Sequence, residues 1–541
     1  MIKKYFTPQN LFLLLTLIAG TLILIPFISF QNMLSQGDHG RDLYAAERIL
    51  RGDAPYKDYW WCYGPLMPYY YALFMKFLGV NIQSVLIGKT LLSLVSGIFI
   101  FLTLRILWGS LAGFSGALWF FLFQRDFFYT YNHAGGIFII TAILTCIAQY
   151  LVTQKNRWIW LSLFGIFILS FVKLNFGAVT LVILVLTTLL TDRAYGIQFN
   201  TRKALFYSFI VLALPLIIFF FYWPLIHNLT SYELSQCFPY SKEYWQYQIT
   251  PWQSLENLLR SIITNLQTNP IDLCFGGIVL FSGTQLLRHI LLKEFNKEKT
   301  RLIFLTLSIF SVYYLLTLHE YIASGTFYQT FWAQPVTILL MFSIIAASLE
   351  RASQHRAMIF WGCILVMCII GYQNQIKMIS MFYKQKQCLD IPRGNIFIRN
   401  SPAWIATVKN TVSFIQKEID PKESFLALPY EPLYYFLTQH KSPAWLLLFV
   451  QASHPTREQE ERVLHDLERN HVNWVILSSR LSSREAGMGT LGKDYCPLIA
   501  DYISRNFTPV AQFGDWTNPP GWAWNHGTVI LKRKASLPIS Q

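Results

Sequence analysis

For its first 373 residues the chain alternates between apolar runs of about twenty residues and short polar connections, and after that the pattern changes character. A run of that length, wound as α-helix, crosses about 30 Å of hydrocarbon. About eleven runs are predicted to span a membrane: residues 10–30, 83–104, 107–123, 134–153, 158–172, 174–191, 204–223, 272–292, 302–318, 331–349 and 357–373. The first is too long for a signal-peptide core and has no small-residue cleavage site after it, so it reads as a retained anchor. The segment 65–79, PLMPYYYALFMKFLG, is shorter and opens on tyrosines, which suits a helix lying at or dipping into the membrane surface.

Beyond residue 374 short apolar runs bounded by turn signals predict strands at SFLALP (424–429), NWVILSS (473–479), Pro509–Phe513 and Thr528–Lys532. Thr456-Arg-Glu-Gln459 has the form of a capping box and opens a predicted helix to about Asn470, with Val463, Leu464 and Leu467 on one face. A second helix is predicted over Leu498–Arg505. The fold class is therefore a multi-spanning α-helical membrane protein, residues 1–373, followed by an α/β domain over 374–541. No glycine-rich loop opens a helix of that domain, which argues against a Rossmann-type nucleotide role.

Composition supports the membrane reading, since only 13% of the 541 residues are charged and 53% are hydrophobic. A soluble protein of this size needs more charge to cover its surface. The net charge of +15 becomes informative once its positions are known. Lys3, Lys4, Arg105, Lys155, Arg157, Arg193, Arg202, Lys203, the cluster Arg288–Arg301, Arg351 and Arg356 all fall on one set of connections. By the positive-inside rule that set, with the amino terminus, faces the cytoplasm. The segment 31–64, the loop Gln124–His133, residues 224–271, the loop His319–Gln329 and the α/β domain then face outward from the inner (plasma) membrane. Cys62, Cys237, Cys388 and Cys496 would meet an oxidising exterior, where one or two disulfides can form. No CxxC or HxxxH spacing marks a metal site.

The stretch GDHGRDLYAAERILRGDAPYKDYWWCYGPL, Gly37 to Leu66, is the only long charged segment in the first third of the chain. Asp38 stands about eight residues past the first predicted span, close to the lipid–water boundary. A carboxylate there can serve as a general base between a lipid-borne and a polar substrate, or cap the following helix, and the two roles are compatible. Arg41 is one helical turn on, near enough to pair with Asp38 or to bind a phosphate, while lipid headgroup contact is the plainer use of Arg41, Arg48 and Lys57. Asp58 precedes Tyr59, Trp60, Trp61 and Tyr63, an aromatic run that suits either an interfacial belt or a sugar site. Asp42 and Asp53 read as helix and turn residues.

Three further polar clusters fall on the same predicted face. Lys173 and Asn175 interrupt an apolar stretch, where a charged side chain costs about 2.5 kcal/mol or more at mid-span and so faces a cavity or snorkels outward. The second outer loop offers Arg125, Asp126 and His133, and His319 with Glu320 opens the fourth. Each is weak alone, because a loop histidine is more often plain surface than ligand.

On these residues the chain resembles the GT-C superfamily of polyprenyl-phosphate-sugar-dependent glycosyltransferases, in particular its protein mannosyltransferase and aminoarabinose transferase branch. The likeness in topology covers residues 10–373, with the specific match at GDHGRDLYAAERILRGDAPYKDYWWCYGPLMPYYYAL and support from FVKLNFG and YNHAGG. It implies a glycosyltransferase that moves a sugar, with inversion, from a polyprenyl-phosphate donor to a lipid, glycan or protein acceptor on the outer face. By the same resemblance Asp38 is the catalytic base, with Asp58 as second candidate, within an outer loop 31–82. Arg41, Lys173, Arg125 and His319 are the candidates for neutralising the leaving phosphate, and Asp126, His133, Asn175, Tyr63 and Trp61 for holding substrate. The family's lysine in a Lys-Pro-Pro-Leu segment is missing, since this chain reads Tyr63-Gly-Pro-Leu66, and Lys57 or Lys173 is expected to stand in. Some members use a divalent cation; without a dense acid cluster, no cofactor or metal is expected here, and no nucleic acid partner. A transporter or flippase of lipid-linked sugars is the competing reading, and a membrane assembly subunit a third. Neither explains the charged first loop as well, and no related halves with broken helices are visible.

Overall fold

The computed structural model describes residues 8–123, 131–197, 201–238, 252–253, 256, 298–320, 331–349, 353–483, 488–516 and 527–534. Among them, eight helices are long and apolar enough to cross a membrane: Asn10–Ile28, Ile82–Trp108, Asn132–Thr153, Leu174–Ala194, Leu205–Ile226, Lys299–Thr317, Phe331–Leu349 and Gln354–Lys384. Two shorter apolar helices, Ser110–Phe123 and Arg157–Ser170, join them. Ten of the predicted runs thus coincide with helices, and the remaining one, 272–292, lies outside the described residues.

Local chemistry sets several of the ends. Helix α1 (Pro8–Leu24) gives way to a 3-10 turn, Ile25–Ile28, where Pro26 has no amide to continue the α-helical ladder. Helix α2 is Asp38–Leu50 and α3 is Leu66–Leu78, the latter covering the segment for which a place at the membrane surface is expected. Helix α4, Ile82–Trp108, starts at Asn81, whose side chain accepts the Ser84 amide at 2.8 Å, and stops at Gly109 with φ +95°. Its 27 residues rise about 40 Å, more than the hydrocarbon thickness, which is long enough to cross with a tilt. Helices α5 (Ser110–Phe123), α6 (Asn132–Thr153), α7 (Arg157–Ser170) and α8 (Leu174–Ala194) follow and pack in sequence order, α5 and α6 on α4, then α7 on α6 and α8 on α7.

Beyond the bundle a four-stranded sheet forms in the order Phe425–Leu428, Trp474–Ser478, Gly527–Arg533, Phe507–Gly514. The first pair is parallel, with Phe425 opposite Trp474, and the other two are antiparallel, with Val475 opposite Leu531. All four predicted strands are present, as are the helices Arg457–Arg469 and Pro497–Asn506. The Thr456 amide donates to Gln459 Oε1 at 2.9 Å, the backward half of the expected capping box.

Four features fasten the α/β region to the bundle. The last span helix runs on to Lys384, and Phe30–Gln31 pairs in parallel with Phe397–Ile398. Asn400 adds a strand-like clasp on the chain before α2, accepting from the Leu34 amide at 2.9 Å and donating to the Leu34 carbonyl at 2.7 Å. Helix α2 then packs on Pro432–Thr438 so closely that a Cβ on Gly40 would stand 2.3 Å from the Leu433 amide nitrogen.

Candidate active site

Every residue from Met33 to Arg48 is buried except Asp38, whose side chain is 47% exposed. Asp38 begins α2, yet its carboxylate makes no capping hydrogen bond. The capping work is done one turn earlier, where Ser35 Oγ accepts the Asp38 amide at 3.0 Å and the Ser35 carbonyl accepts the Gly40 amide at 3.3 Å. Instead, Asp38 Oδ1 accepts from Tyr430 Oη at 3.0 Å and, more loosely, from Arg41 Nη1 at 3.4 Å.

Arg41 is almost wholly buried. Its Nε and Nη2 donate to Asp42 Oδ1 at 3.2 and 3.0 Å, and its Nη1 also reaches Cys62 Sγ at 3.1 Å. Burial raises the Asp42 carboxyl to about 6, with the Arg41 guanidinium and the Asn132 amide, which donates to Oδ2 at 3.2 Å, holding it back from rising further. Burial likewise pushes the Cys62 thiol up to about 11. The seven described cysteines are free thiols, so the one or two disulfides open to Cys62, Cys237, Cys388 and Cys496 are not formed.

The Arg41 guanidinium carbon lies 4.8 Å from the centre of the Tyr63 ring, and the Lys173 ammonium lies 5.4 Å from the same ring. Gly64 makes this possible: its amide donates to Val172 O at 3.0 Å, and a Cβ there would stand 2.1 Å from Phe171 O. The turn after Trp61 is thereby pressed onto the α7–α8 junction, which carries Lys173. Of the two basic residues expected to stand in for the missing lysine, Lys173 faces Tyr63 and Lys57 is exposed on its turn.

Lys173 Nζ pairs with Glu320 Oε1 at 2.5 Å, and Asn175 Nδ2 donates to that oxygen at 2.9 Å and to His319 Nε2 at 2.8 Å. Burial opposes the charged form of Glu320, but Lys173 outweighs it and holds the carboxyl below its usual range. His319 Nδ1 lies 2.8 Å from the Leu316 carbonyl, which requires the proton on Nδ1, so Nε2 accepts from Asn175. Burial keeps the ring neutral by lowering its basicity. His319 therefore orients Asn175, and its one ring proton is engaged by the Leu316 carbonyl. His133 sits behind Tyr63, its ring 5.2 Å from Tyr63, 5.0 Å from Phe331 and 4.8 Å from Trp332.

Of the other predicted residues, Trp61 joins this cluster and Asp58 stands apart from it. Trp61 is buried with Nε1 donating to Gly64 O at 3.0 Å, and its ring packs 5.4 Å from the Arg41 guanidinium. Asp58 Oδ2 accepts the Ala54 amide at 2.8 Å, closing a turn that Arg48 braces through the Asp58 carbonyl at 3.2 Å. Arg125 and Asp126 lie outside the described residues. Among the described residues no three His, Cys, Asp or Glu side chains converge as metal ligands. Glu320, read from sequence only as the acid beside His319, proves to be the partner of Lys173, and Tyr430 was not singled out because it carries no sequence signal.

The cluster thus gathers one exposed carboxylate, two cations and an aromatic floor at the end of the bundle beneath the α/β region. In overall fold the chain is similar to the oligosaccharyltransferase of Archaeoglobus fulgidus in complex with Zn and sulfate, with a TM-score of 0.52 at 10% identity over 87% of this chain and 68% of that one. It is equally similar to ArnT from Cupriavidus metallidurans bound to undecaprenyl phosphate, with a TM-score of 0.52 at 10% identity over 97% of this chain and 98% of that one. No protein-family model and no curated protein matches the sequence. At this level of identity the likeness is one of fold, a multi-spanning helical bundle followed by an α/β region.

Proposed function

We propose that the protein is an inverting membrane glycosyltransferase that transfers a sugar from a polyprenyl-phosphate donor to an acceptor on the outer face of the membrane. The observation that carries this reading is Asp38, the single exposed residue in the buried stretch from Met33 to Arg48, one helical turn from a buried arginine. A carboxylate so held can take the proton of an acceptor hydroxyl as the oxygen attacks the anomeric carbon. The bond from that carbon to the phosphate oxygen breaks on the opposite face, which inverts the centre.

The departing phosphate diester becomes a monoester of low basicity and needs positive charge near it more than a proton. Arg41 and Lys173, on either side of Tyr63, supply that charge, and Asp42 and Glu320 fix where it stands. The undecaprenyl phosphate bound to the similarly folded ArnT supports a lipid phosphate as the carrier. The helix ends rich in Arg and Lys support the orientation, because Arg105, Lys155, Arg157 and Arg193 lie at or beside helix ends opposite those that carry Ile82, Asn132, Ser170 and Leu174. The region from 374 to 541 is on this view an extracytoplasmic domain that roofs the site.

The test is transfer by the purified protein from radiolabelled polyprenyl-phosphate sugars to lipid, glycan and protein acceptors, for the wild type, Asp38→Asn and Asp58→Asn. Loss in Asp38→Asn alone supports the assignment. Full transfer by Asp38→Asn with loss in Asp58→Asn overturns the base, and passage of lipid-linked sugar across liposomes without donor consumption overturns the enzyme.

A further inference from the structure

The two donors to Asp38 converge on one oxygen. Tyr430 Oη at 3.0 Å and Arg41 Nη1 at 3.4 Å both address Oδ1, so Oδ2 is the atom left to the open side of a carboxylate that is 47% exposed. A carboxylate on a freely turning Cβ presents either oxygen; one pinned through Oδ1 presents the other.

Tyr430 is itself held rigidly, from the α/β side. It is 2% exposed, with its ring centre 6.1 Å from Trp60, and a Cβ on Gly37 would stand 2.4 Å from its ring. Its carbonyl accepts from Arg480, a side chain with no exposure at all, which pairs with the equally buried Glu431 at 2.8 Å. Arg480 follows strand Trp474–Ser478, and Tyr430 follows its parallel neighbour Phe425–Leu428. The ends of two adjacent parallel strands, one at the sheet's edge and its neighbour, therefore hold the phenol that reaches Asp38 across 392 residues of sequence.

We infer that Tyr430 is a positioning residue for the reaction: by donating to Oδ1 it selects Oδ2 of Asp38 as the proton-accepting atom, and it makes the α/β region part of the active site. This rests on the reading of Asp38 as the base. A hydrogen bond to a charged group is worth roughly 1.5–3 kcal/mol, and freeing the carboxylate to rotate forfeits much of that orientation, so its loss corresponds to roughly a ten- to hundredfold fall in rate.

The experiment measures steady-state transfer by the full-length protein, with an undecaprenyl-phosphate-linked sugar as the probe donor, for Tyr430→Phe, Asp38→Glu and the double variant, beside Asp38→Asn. Tyr430→Phe keeps the ring that fills the space against Gly37 and removes only the hydroxyl. The expected result is a ten- to hundredfold lower kcat with the donor KM within twofold of wild type. In the double variant the loss is expected to be markedly smaller than the product of the two single losses, because both act on one carboxylate. A merely structural role for the tyrosine gives losses that multiply. Wild-type kcat in Tyr430→Phe, or multiplying losses, overturns the inference while Asp38→Asn remains inactive. Full activity of Asp38→Asn instead overturns the reading beneath it.

Discussion

Lys173 Nζ lies 2.5 Å from Glu320 Oε1, a contact between the α7–α8 junction and the end of a distant span helix, with both side chains only 13–14% exposed. The pair does two things. It lets a lysine sit beneath Tyr63 next to apolar rings, and it fixes the direction in which the ammonium points. Removing one partner leaves the other's charge stranded, which is costlier than removing both. Lys173→Met is accordingly expected to lower stability by about 3–5 kcal/mol, and the double variant with Glu320→Gln to recover most of that loss. Thermal unfolding of the purified protein in detergent checks both, and a Lys173→Met protein as stable as wild type contradicts the pairing.

The two candidate bases are expected to part company under the mildest substitution. In Asp38→Asn the amide retains the shape but loses the basic oxygen, so transfer falls by about 10²–10⁴-fold while donor binding persists. Asp58→Asn still offers an oxygen to the Ala54 amide, and its turn and its activity are expected to be those of wild type. Parallel turnover and binding measurements on the two variants decide between them.

Asp42 gives a pH dependence whose sign follows from its burial. Its carboxyl stands at about 6 in the folded protein against an ordinary value of 3.8, so the folded state binds the proton more readily than the unfolded chain. The stabilising contribution of this proton is complete below about pH 4 and lost as the pH rises through about 6. Wild type is thus expected to gain thermal stability from pH 7 to pH 5 relative to Asp42→Asn. Two unfolding curves that move in parallel with pH would count against a buried, titrating Asp42.

Gly64 can be tested by the smallest side chain. Alanine there puts a methyl 2.1 Å from Phe171 O, a backbone atom that cannot rotate away, so the turn must lift from the α7–α8 junction. The expected cost is about 1–3 kcal/mol in stability, accompanied by a higher KM for donor as Tyr63 and Lys173 separate. Gly52, whose Cβ would meet nothing but whose φ is +90°, is the control: Gly52→Asn is expected to leave donor KM unchanged. A Gly64→Ala enzyme with wild-type KM would detach the turn from donor binding.

Hydropathy made the span helices legible because a chain in lipid must bury its backbone polar groups in helices and cover them with apolar side chains. It misplaced ends where the reason for the end was not hydropathy. The first run continues apolar through Phe30, but the α-helix stops at Leu24 because of Pro26, and the last continues to Lys384, where Ile379 and Phe382 pack on Phe30 and the Tyr383 ring stands 4.1 Å from Phe397. The alternation of short apolar runs and turn signals placed the four strands, since each needs only local burial to be recognised.

Within the site, Asp38 and Arg41 were visible as charge where the chain is otherwise apolar, and Lys173 and Asn175 as breaks in an apolar run. Their sequence determined that they lie near one end of the bundle. It did not determine which acid meets which base, because Lys173 with Glu320 and Asp38 with Tyr430 are pairs made between segments far apart in the chain, by packing that no local pattern encodes. Tyr430 is one tyrosine among 29 until the sheet and the close approach of α2 at Gly40 carry its hydroxyl to the carboxylate. The solubility of side chains in lipid and water makes a membrane bundle, a charged first loop and an α/β tail legible along the chain. That the tail closes over that loop and holds its one exposed carboxylate by a single oxygen follows from long-range packing, which no local pattern carries.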